Sequence, residues 1–464
     1  MKQALLLVVL LYLQSAITSA QSVWQSYEPA LPEVVGAFHL RTSSIDPSVA
    51  WTICAKYDVT ANSYTQIFLD SLIFTKTGDG GETWEGGRIP MGLEPYGNSI
   101  CPINADTAWA TGLDSDFASY LLKTTDGGET WSRYLENGFI GADSYINFVH
   151  FFDDQHGVVM GDPAEAAPGS DPFFEIYTTS DGGEIWTRVS IDNIPPRIPD
   201  EFGADHLFDA RGDTIWFGTY NGTTFSHLRI FRSTDKGATW SAFASNSHWP
   251  FSFADGQYGV GARQFTIIQT QLQLTTDGGA TWTALPQLNL GSITSIAMIP
   301  GSRYIVAVLR TNNITGPFRT MLSTNLGQTW MQIGDGTQHA GNIHFSSPAI
   351  GYAGEWQPAD HPTRMYRWAG NPLSGLFSGK ELDAEVEVFP NPGEGSMNIK
   401  ATILQPSDFL ILVNDAQGML VERRVVDNTS LLNAQFDLHG QPAGAYTVTI
   451  CTEQGSLTRR FLKQ

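Results

Sequence analysis

One eight-residue phrase recurs six times and restricts the fold more than anything else in the chain. TGDGGETW ends at Trp84, TTDGGETW at Trp131, TSDGGEIW at Trp186, STDKGATW at Trp240, TTDGGATW at Trp282 and STNLGQTW at Trp330. The key positions Asp79, Asp126, Asp181, Asp235, Asp277 and Asn325 lie 42 to 55 residues apart. A period of this size marks a repeat architecture in which each unit is one small sheet. The phrase has a physical logic. Gly81, Gly128 and their equivalents allow a tight reversal that a Cβ would forbid. The Asp side chain can accept hydrogen bonds from N–H groups of its own turn, and the Trp buries up to ~250 Å² between neighbouring hairpins. These acids and tryptophans are therefore expected to be structural, not catalytic.

Upstream of each phrase sits a strand of alternating apolar residues: SLIFTKT, YLLKTT, FEIYTTS, RIFRST, LQLTT and RTMLST. Two further strands precede it, as in SYINFVHF and HGVVMGD. Each unit reads as three strands, the turn, and a fourth strand starting at the Trp. After Trp330 the segments GNIHFSS, IGYAGEW and RMYRWAG give three strands of a seventh unit with no fourth. Near the start, SVWQSYEPALP looks like an orphan fourth strand with Trp24 in the place of a turn Trp. Joining the two ends would close the ring and leave no free sheet edge. The expected fold class is all-β: a seven-bladed β-propeller over 21–370, a linker over 371–384, and a small C-terminal β-sandwich of about seven strands over 385–464.

The first 20 residues read as a secretory signal peptide. Lys2 precedes a short apolar run, small residues Thr18 and Ala20 follow, and polar Gln21 comes next. The run is too short for a membrane span, and no later segment reaches that length. Formal net charge is −21, from 26 basic against 47 acidic residues. That balance excludes nucleic acid as an expected partner, since phosphate binding needs a basic face. No Ca²⁺-loop signature appears, so neither metal nor cofactor is expected. Three cysteines, Cys54, Cys101 and Cys451, are too few for a disulfide scaffold. Cys54 and Cys101 fall in adjacent repeats, either as a pair or as buried thiols.

Two resemblances follow from these residues. Phe389-Pro390-Asn391-Pro392 with Gly395, then Asp415 and Gly418, then Pro442-Ala443-Gly444-Ala445-Tyr446 and a basic tail resemble the type A C-terminal sorting domain of the type IX secretion system of Bacteroidota. The resemblance implies that residues 385–464 engage that secretion machinery, with a secreted or outer-membrane-surface destination. The repeats resemble the BNR/Asp-box superfamily related to sialidases. Within it, FVHFFDDQHGVVMGDP followed by FFEIYTTSDGGEIW is similar to the photosystem II stability/assembly-factor-like group. Sialidases carry an Arg-Ile-Pro motif before the first box. Arg88-Ile89-Pro90 follows it here and Arg197-Ile198-Pro199 lies between the third and fourth, so no catalytic residue carries over.

The repeated turns occupy one face, so a ligand site is expected on the other, in loops 162–173, 189–206, 218–227 and 355–362. Asp162, Asp171, Glu355 and Asp360 are the candidate acids there. Trp216, Tyr220, Trp249, Arg263, Trp356 and His361 are the candidate ligand contacts. Aromatics beside carboxylates suit stacking on a sugar or gripping a surface protein. The expectation is a non-catalytic binding or scaffold module. The alternative is a sialidase-like or xyloglucanase-like glycosidase, which requires two carboxylates about 5–10 Å apart.

Overall fold

The computed structural model describes residues 24–464 apart from connecting segments, those longer than five residues being 135–144, 166–171, 311–317, 334–339, 356–362 and 369–381. The signal-peptide segment, most of the linker, Asp171, Trp249, Trp356, Asp360 and His361 lie outside the described residues. The chain divides into two compact units, Met1–Ala369 and Gly370–Gln464. It is all-β apart from one 3₁₀ turn among the described residues.

Among the described residues of the first unit, seven antiparallel sheets follow one another along the chain. The first contains Val35–Thr42, Ala50–Asp58, Ser71–Thr77 and Glu85–Pro90, with Ser63–Thr65 pairing onto the second of these strands. The next five repeat the four-strand order without the extra strand. The last consists of Ala340–Phe345, Gly351–Glu355 and Met365–Trp368, and its fourth strand comes from the chain's start: Trp24–Tyr27 pairs with Met365–Trp368, Trp24 opposite Trp368. First strands of successive sheets pack side by side in cyclic order, the last against the first.

Aromatic rings fasten one sheet to the next. Trp131 packs edge-on to Trp51 of the preceding sheet at 6.2 Å, and Trp186 does the same to Trp109 at 5.8 Å. At the seam, Trp84 meets Tyr352 of the last sheet at 5.9 Å, and the Tyr352 hydroxyl donates to the Ser48 carbonyl at 3.1 Å. Trp24 is buried against Trp368 at 4.7 Å, and its Nε1 donates to Thr320 Oγ1 at 3.2 Å. Cys54 and Cys101 are buried free thiols, and burial pushes Cys101 up to about 12.

The repeated turns hold themselves together. Asp79 Oδ1 accepts from the Glu82 and Thr83 N–H groups, both at 3.0 Å, and from Thr77 Oγ1 at 2.8 Å; Oδ2 accepts from Thr83 Oγ1 at 2.6 Å. Burial pushes this carboxyl up, but the hydrogen bonds from Thr83, Thr77 and Glu82 outweigh it and hold Asp79 at about 2. Asn325 fits the same turn because its Nδ2 donates to Thr329 Oγ1 at 2.9 Å while Oδ1 accepts from the Thr329 N–H. Gly81 has φ +87°, and a Cβ there would fall 2.9 Å from the Tyr352 ring. Only glycine fits.

Among the described residues, the second unit has one sheet of five strands, where about seven strands were expected. Two are unusually long, Ser396–Asn414 and Leu420–Asp437. Their mutual register shifts between Thr402 and Ser407, around Pro406, which cannot donate to a ladder. A single strand thus continues where two short ones were expected. Met397, Ile399, Ile411, Val413, Val448 and Phe461 form its core.

Candidate functional site

The structure gathers a polar and aromatic cluster where the third and fourth sheets meet, at the strand ends away from the repeated turns. Asp162, near the end of Gly157–Glu165, accepts at Oδ1 from Asn147 Nδ2 at 3.0 Å and from the Gly203 N–H at 2.9 Å. Gly203 permits that approach: a Cβ there would sit 2.5 Å from Asn147 Nδ2. Burial drives the Asp162 carboxyl up to about 6, despite hydrogen bonds from Asn147 and Gly203 and the charge of Arg197. Asn147 is buried, and its Oδ1 has no hydrogen-bond partner among the described residues; the same holds for Arg197 Nε.

Arg197 is held in place by its neighbours. Glu201 is fully buried and accepts from Arg229 Nε at 2.9 Å, Thr219 Oγ1 at 2.6 Å and the Ile198 N–H at 3.1 Å. Arg229 Nη2 also donates to the Pro196 carbonyl at 2.9 Å. The backbone on both sides of Arg197 is thereby tied to a desolvated, fully partnered ion pair, an arrangement that fixes geometry more than it adds stability.

Beyond Gly203 the cluster turns aromatic. Arg197 lies over the Phe202 ring at 5.4 Å, Phe202 is 6.2 Å from Tyr220, and Tyr220 lies nearly parallel to Phe225, with centroids 6.2 Å apart and planes 9° apart. Phe225 is 75% exposed and has φ +56°. A bulky residue in left-handed backbone is a real outlier. Its loop is nonetheless ordered: Asn221 Oδ1 accepts from the Thr223 and Thr224 N–H groups at 2.9 and 2.8 Å, and the Asn221 carbonyl accepts from the Phe225 N–H at 2.8 Å.

Of the residues singled out from the sequence, Asp162 and Tyr220 come together here. Trp216 does not. It is fully buried, stacked on Phe253 at 3.8 Å, and its Nε1 donates to the Gly278 carbonyl at 2.9 Å. That corrects its assignment as a ligand contact; its strand is covered by a sheet on each side. Glu355 is also buried, in the last sheet, with Oε2 accepting from the Arg364 N–H at 2.8 Å and Oε1 from the Tyr366 hydroxyl at 3.4 Å. It braces its own hairpin. Arg263 is half-buried on Gly259–Thr266, opposite Gln271. Asn147, Phe202, Gly203 and Phe225 were not singled out. The one available signal was the aromatic Phe225 inside a loop of threonines, serine and glycine.

Comparison with known proteins bears mainly on the second unit. Residues 387–464 match the secretion system C-terminal sorting domain family. The chain is therefore exported by the type IX route, to the cell surface or beyond. Among the described residues, no helix is long and apolar enough to cross a membrane. Xyloglucanase Xgh74A of Acetivibrio thermocellus is 24% identical over 294 residues, covering 53% of this chain and 32% of that protein. The chain thus spans about a third of that relative's length. Among solved structures, a protein of unknown function from Dyadobacter fermentans is 11% identical with a TM-score of 0.41, covering 76% of this chain and 98% of that one. A Trypanosoma rangeli sialidase mutant displaying trans-sialidase activity is 10% identical with a TM-score of 0.41, covering 96% and 87%.

Proposed function

We propose that the exported chain is a seven-bladed Asp-box propeller, similar to the photosystem II assembly-factor-like group, that works outside the cell as a non-catalytic binding module. In this reading the second unit is a sorting β-sandwich that delivers it. Seven sheets in chain order, with the last completed by Trp24–Tyr27, support the blade count. A photosynthetic role is not implied. The ligand surface is the Arg197, Phe202, Tyr220 and Phe225 platform with Asp162 at its inner edge, and the ligand is a surface glycan.

Phe225 carries the proposal. A phenylalanine 75% exposed, in unfavourable backbone, on a loop fixed by hydrogen bonds, gains little in the unbound state beyond its contact with Tyr220. Paired with Tyr220 it offers two apolar faces to a sugar ring, while Arg197 and Asp162 offer polar contacts. Titrating the exported protein with a panel of plant and bacterial surface polysaccharides tests this. At least one should bind, and Phe225→Ala should weaken that binding by about tenfold, the scale of one lost stacking contact. Unchanged affinity in the variant would remove the platform from the account.

A glycosidase is the second reading, favoured by one observation: a carboxyl raised to about 6 can serve as a proton donor near neutral pH. The other described candidate, Glu355, belongs to a different sheet and is engaged by Arg364 and Tyr366. Release of reducing ends from xyloglucan, abolished by Asp162→Asn, would establish that reading instead.

A further inference from the structure

A second polar cluster lies at the other end of the first unit, next to the repeated turns. Strand pairing puts one residue from five of the seven first strands in the same position: Arg41 faces Trp51, Cys101 faces Trp109, His150 faces Val158, Asp209 faces Trp216 and His344 faces Tyr352. All five line one cavity of about 170 Å³, joined by Arg211. They come from five sheets and are far apart in sequence, so no local motif announces them.

The lining is unbalanced in charge. Its basic side chains are the Arg41 and Arg211 guanidiniums, and its one carboxylate among the described residues is Asp209. That carboxylate is already committed. Oδ1 accepts from Arg211 Nη1 and from the Ala210 N–H, both at 2.9 Å, and Oδ2 accepts from the Phe253 N–H at 2.7 Å and Ser252 Oγ at 3.2 Å. Arg41 reaches from the first sheet to the fourth, where its guanidinium lies 4.2 Å over the Phe208 ring and donates to the Phe208 carbonyl at 3.1 Å. The Asp209 charge also acts on Arg41, but among the described residues no carboxylate of the lining hydrogen-bonds to it. Arg211 Nε is buried with no hydrogen-bond partner among the described residues.

The imidazoles respond to this field. Burial, then the charges of Arg41 and Arg211, hold His150 down at about 3 and His344 well below the usual histidine value. Both rings are therefore neutral at physiological pH. Burial also keeps the Cys101 thiol protonated. The cavity thus combines two guanidiniums against one carboxylate, a buried guanidinium N–H with no hydrogen-bond partner among the described residues, and two neutral imidazoles. A buried charge is costly until something partners it, and among the described residues the chain's acids supply only Asp209 to this lining.

We infer that this cavity is a binding site for a small oxyanion, a carboxylate or a phosphate group, held between the Arg41 and Arg211 guanidiniums. Guanidiniums suit such a ligand because they are planar arrays of donors. Arg211 Nη1 is engaged by Asp209 and the Ala210 carbonyl and Arg41 Nη2 by the Phe208 carbonyl, so the remaining N–H groups of the two would make the contacts. The inference is independent of the glycan platform, which lies at the opposite strand ends.

The test uses the full exported protein. Inorganic phosphate and acetate are titrated in separate arms by calorimetry and thermal unfolding, each against sodium chloride at matched ionic strength. The account expects at least one to bind and to raise the unfolding temperature with concentration. Arg211→Lys and Arg41→Gln should each weaken it at least about tenfold, as loss of a charge-assisted hydrogen bond does. The arm that binds more tightly identifies the oxyanion. Should Arg41→Gln fail to fold, Arg211→Lys carries the mutational test, since it keeps the charge and loses the fork. No binding of either anion on the order of 10 mM, where a stabilising ligand would register, overturns the inference. Equal affinity in Arg211→Lys overturns it too.

Discussion

Replacing Asp162 by Asn should make the protein more stable at neutral pH. Burial raises this carboxyl from 3.8 to about 6 in the folded chain, against the pull of Asn147, Gly203 and Arg197. With the folded value above the unfolded one, the folded state binds more protons between the two. Stability therefore falls as pH rises from about 4 to about 6, and the penalty stays constant above that. The gap corresponds to about 3 kcal/mol. Asn has nearly the same shape and no charge to desolvate. Its oxygen can accept from Asn147 Nδ2 and the Gly203 N–H, as Asp162 does, and its amide brings a donor near Asn147 Oδ1, which lacks one. The expected gain is about 1–3 kcal/mol at pH 7, shrinking towards zero below about pH 4. Urea denaturation followed by tryptophan fluorescence, repeated across that pH range, measures it. An Asn variant less stable than wild type at pH 7 would refute the reasoning. So would parallel loss of stability in both proteins between pH 4 and 6.

Three further predictions concern the frame. Trp24→Ala should destabilise the first unit by about 3–5 kcal/mol, because it removes the packing on Trp368 and the bond to Thr320; denaturation midpoints measure this. Gly81→Ala should cost about 1–2 kcal/mol for left-handed backbone alone, and more because the new methyl meets Tyr352 at the seam; thermal unfolding should show it plainly. Asn325→Asp should change stability by less than about 1 kcal/mol, since Thr329 need only turn its hydroxyl to donate, as Thr83 does to Asp79. A larger loss would show that the sixth turn differs from the others.

Much of the frame was legible in the sequence because it is written locally. Thr77, Asp79, Gly81 and Thr83 close their turn within seven residues, and even the orphan Trp24 announced a strand in search of a sheet. Faces were harder. Ile215, Trp216, Phe217 and Gly218 are all buried, so the period-two alternation that tells inside from outside is lost where neighbouring sheets cover both faces. Trp216 was misplaced for that reason. Sites were hardest. Asp162 meets Gly203 across 41 residues, and Arg41 meets Phe208 across 167. Their positions in the chain carry no trace of either contact. Strand register makes them neighbours, and register becomes visible only once the sheets are assembled.

The central claim is binding without turnover at the Arg197 to Phe225 platform. One experiment tests both halves. The exported protein is held for a day with its bound polysaccharide, hydrogen–deuterium exchange is read over residues 196–203 and 218–226, and the polysaccharide is then analysed by mass spectrometry. The account predicts slowed exchange in those two segments and an intact ligand. Shortened chains, or protection confined to other loops, would contradict it.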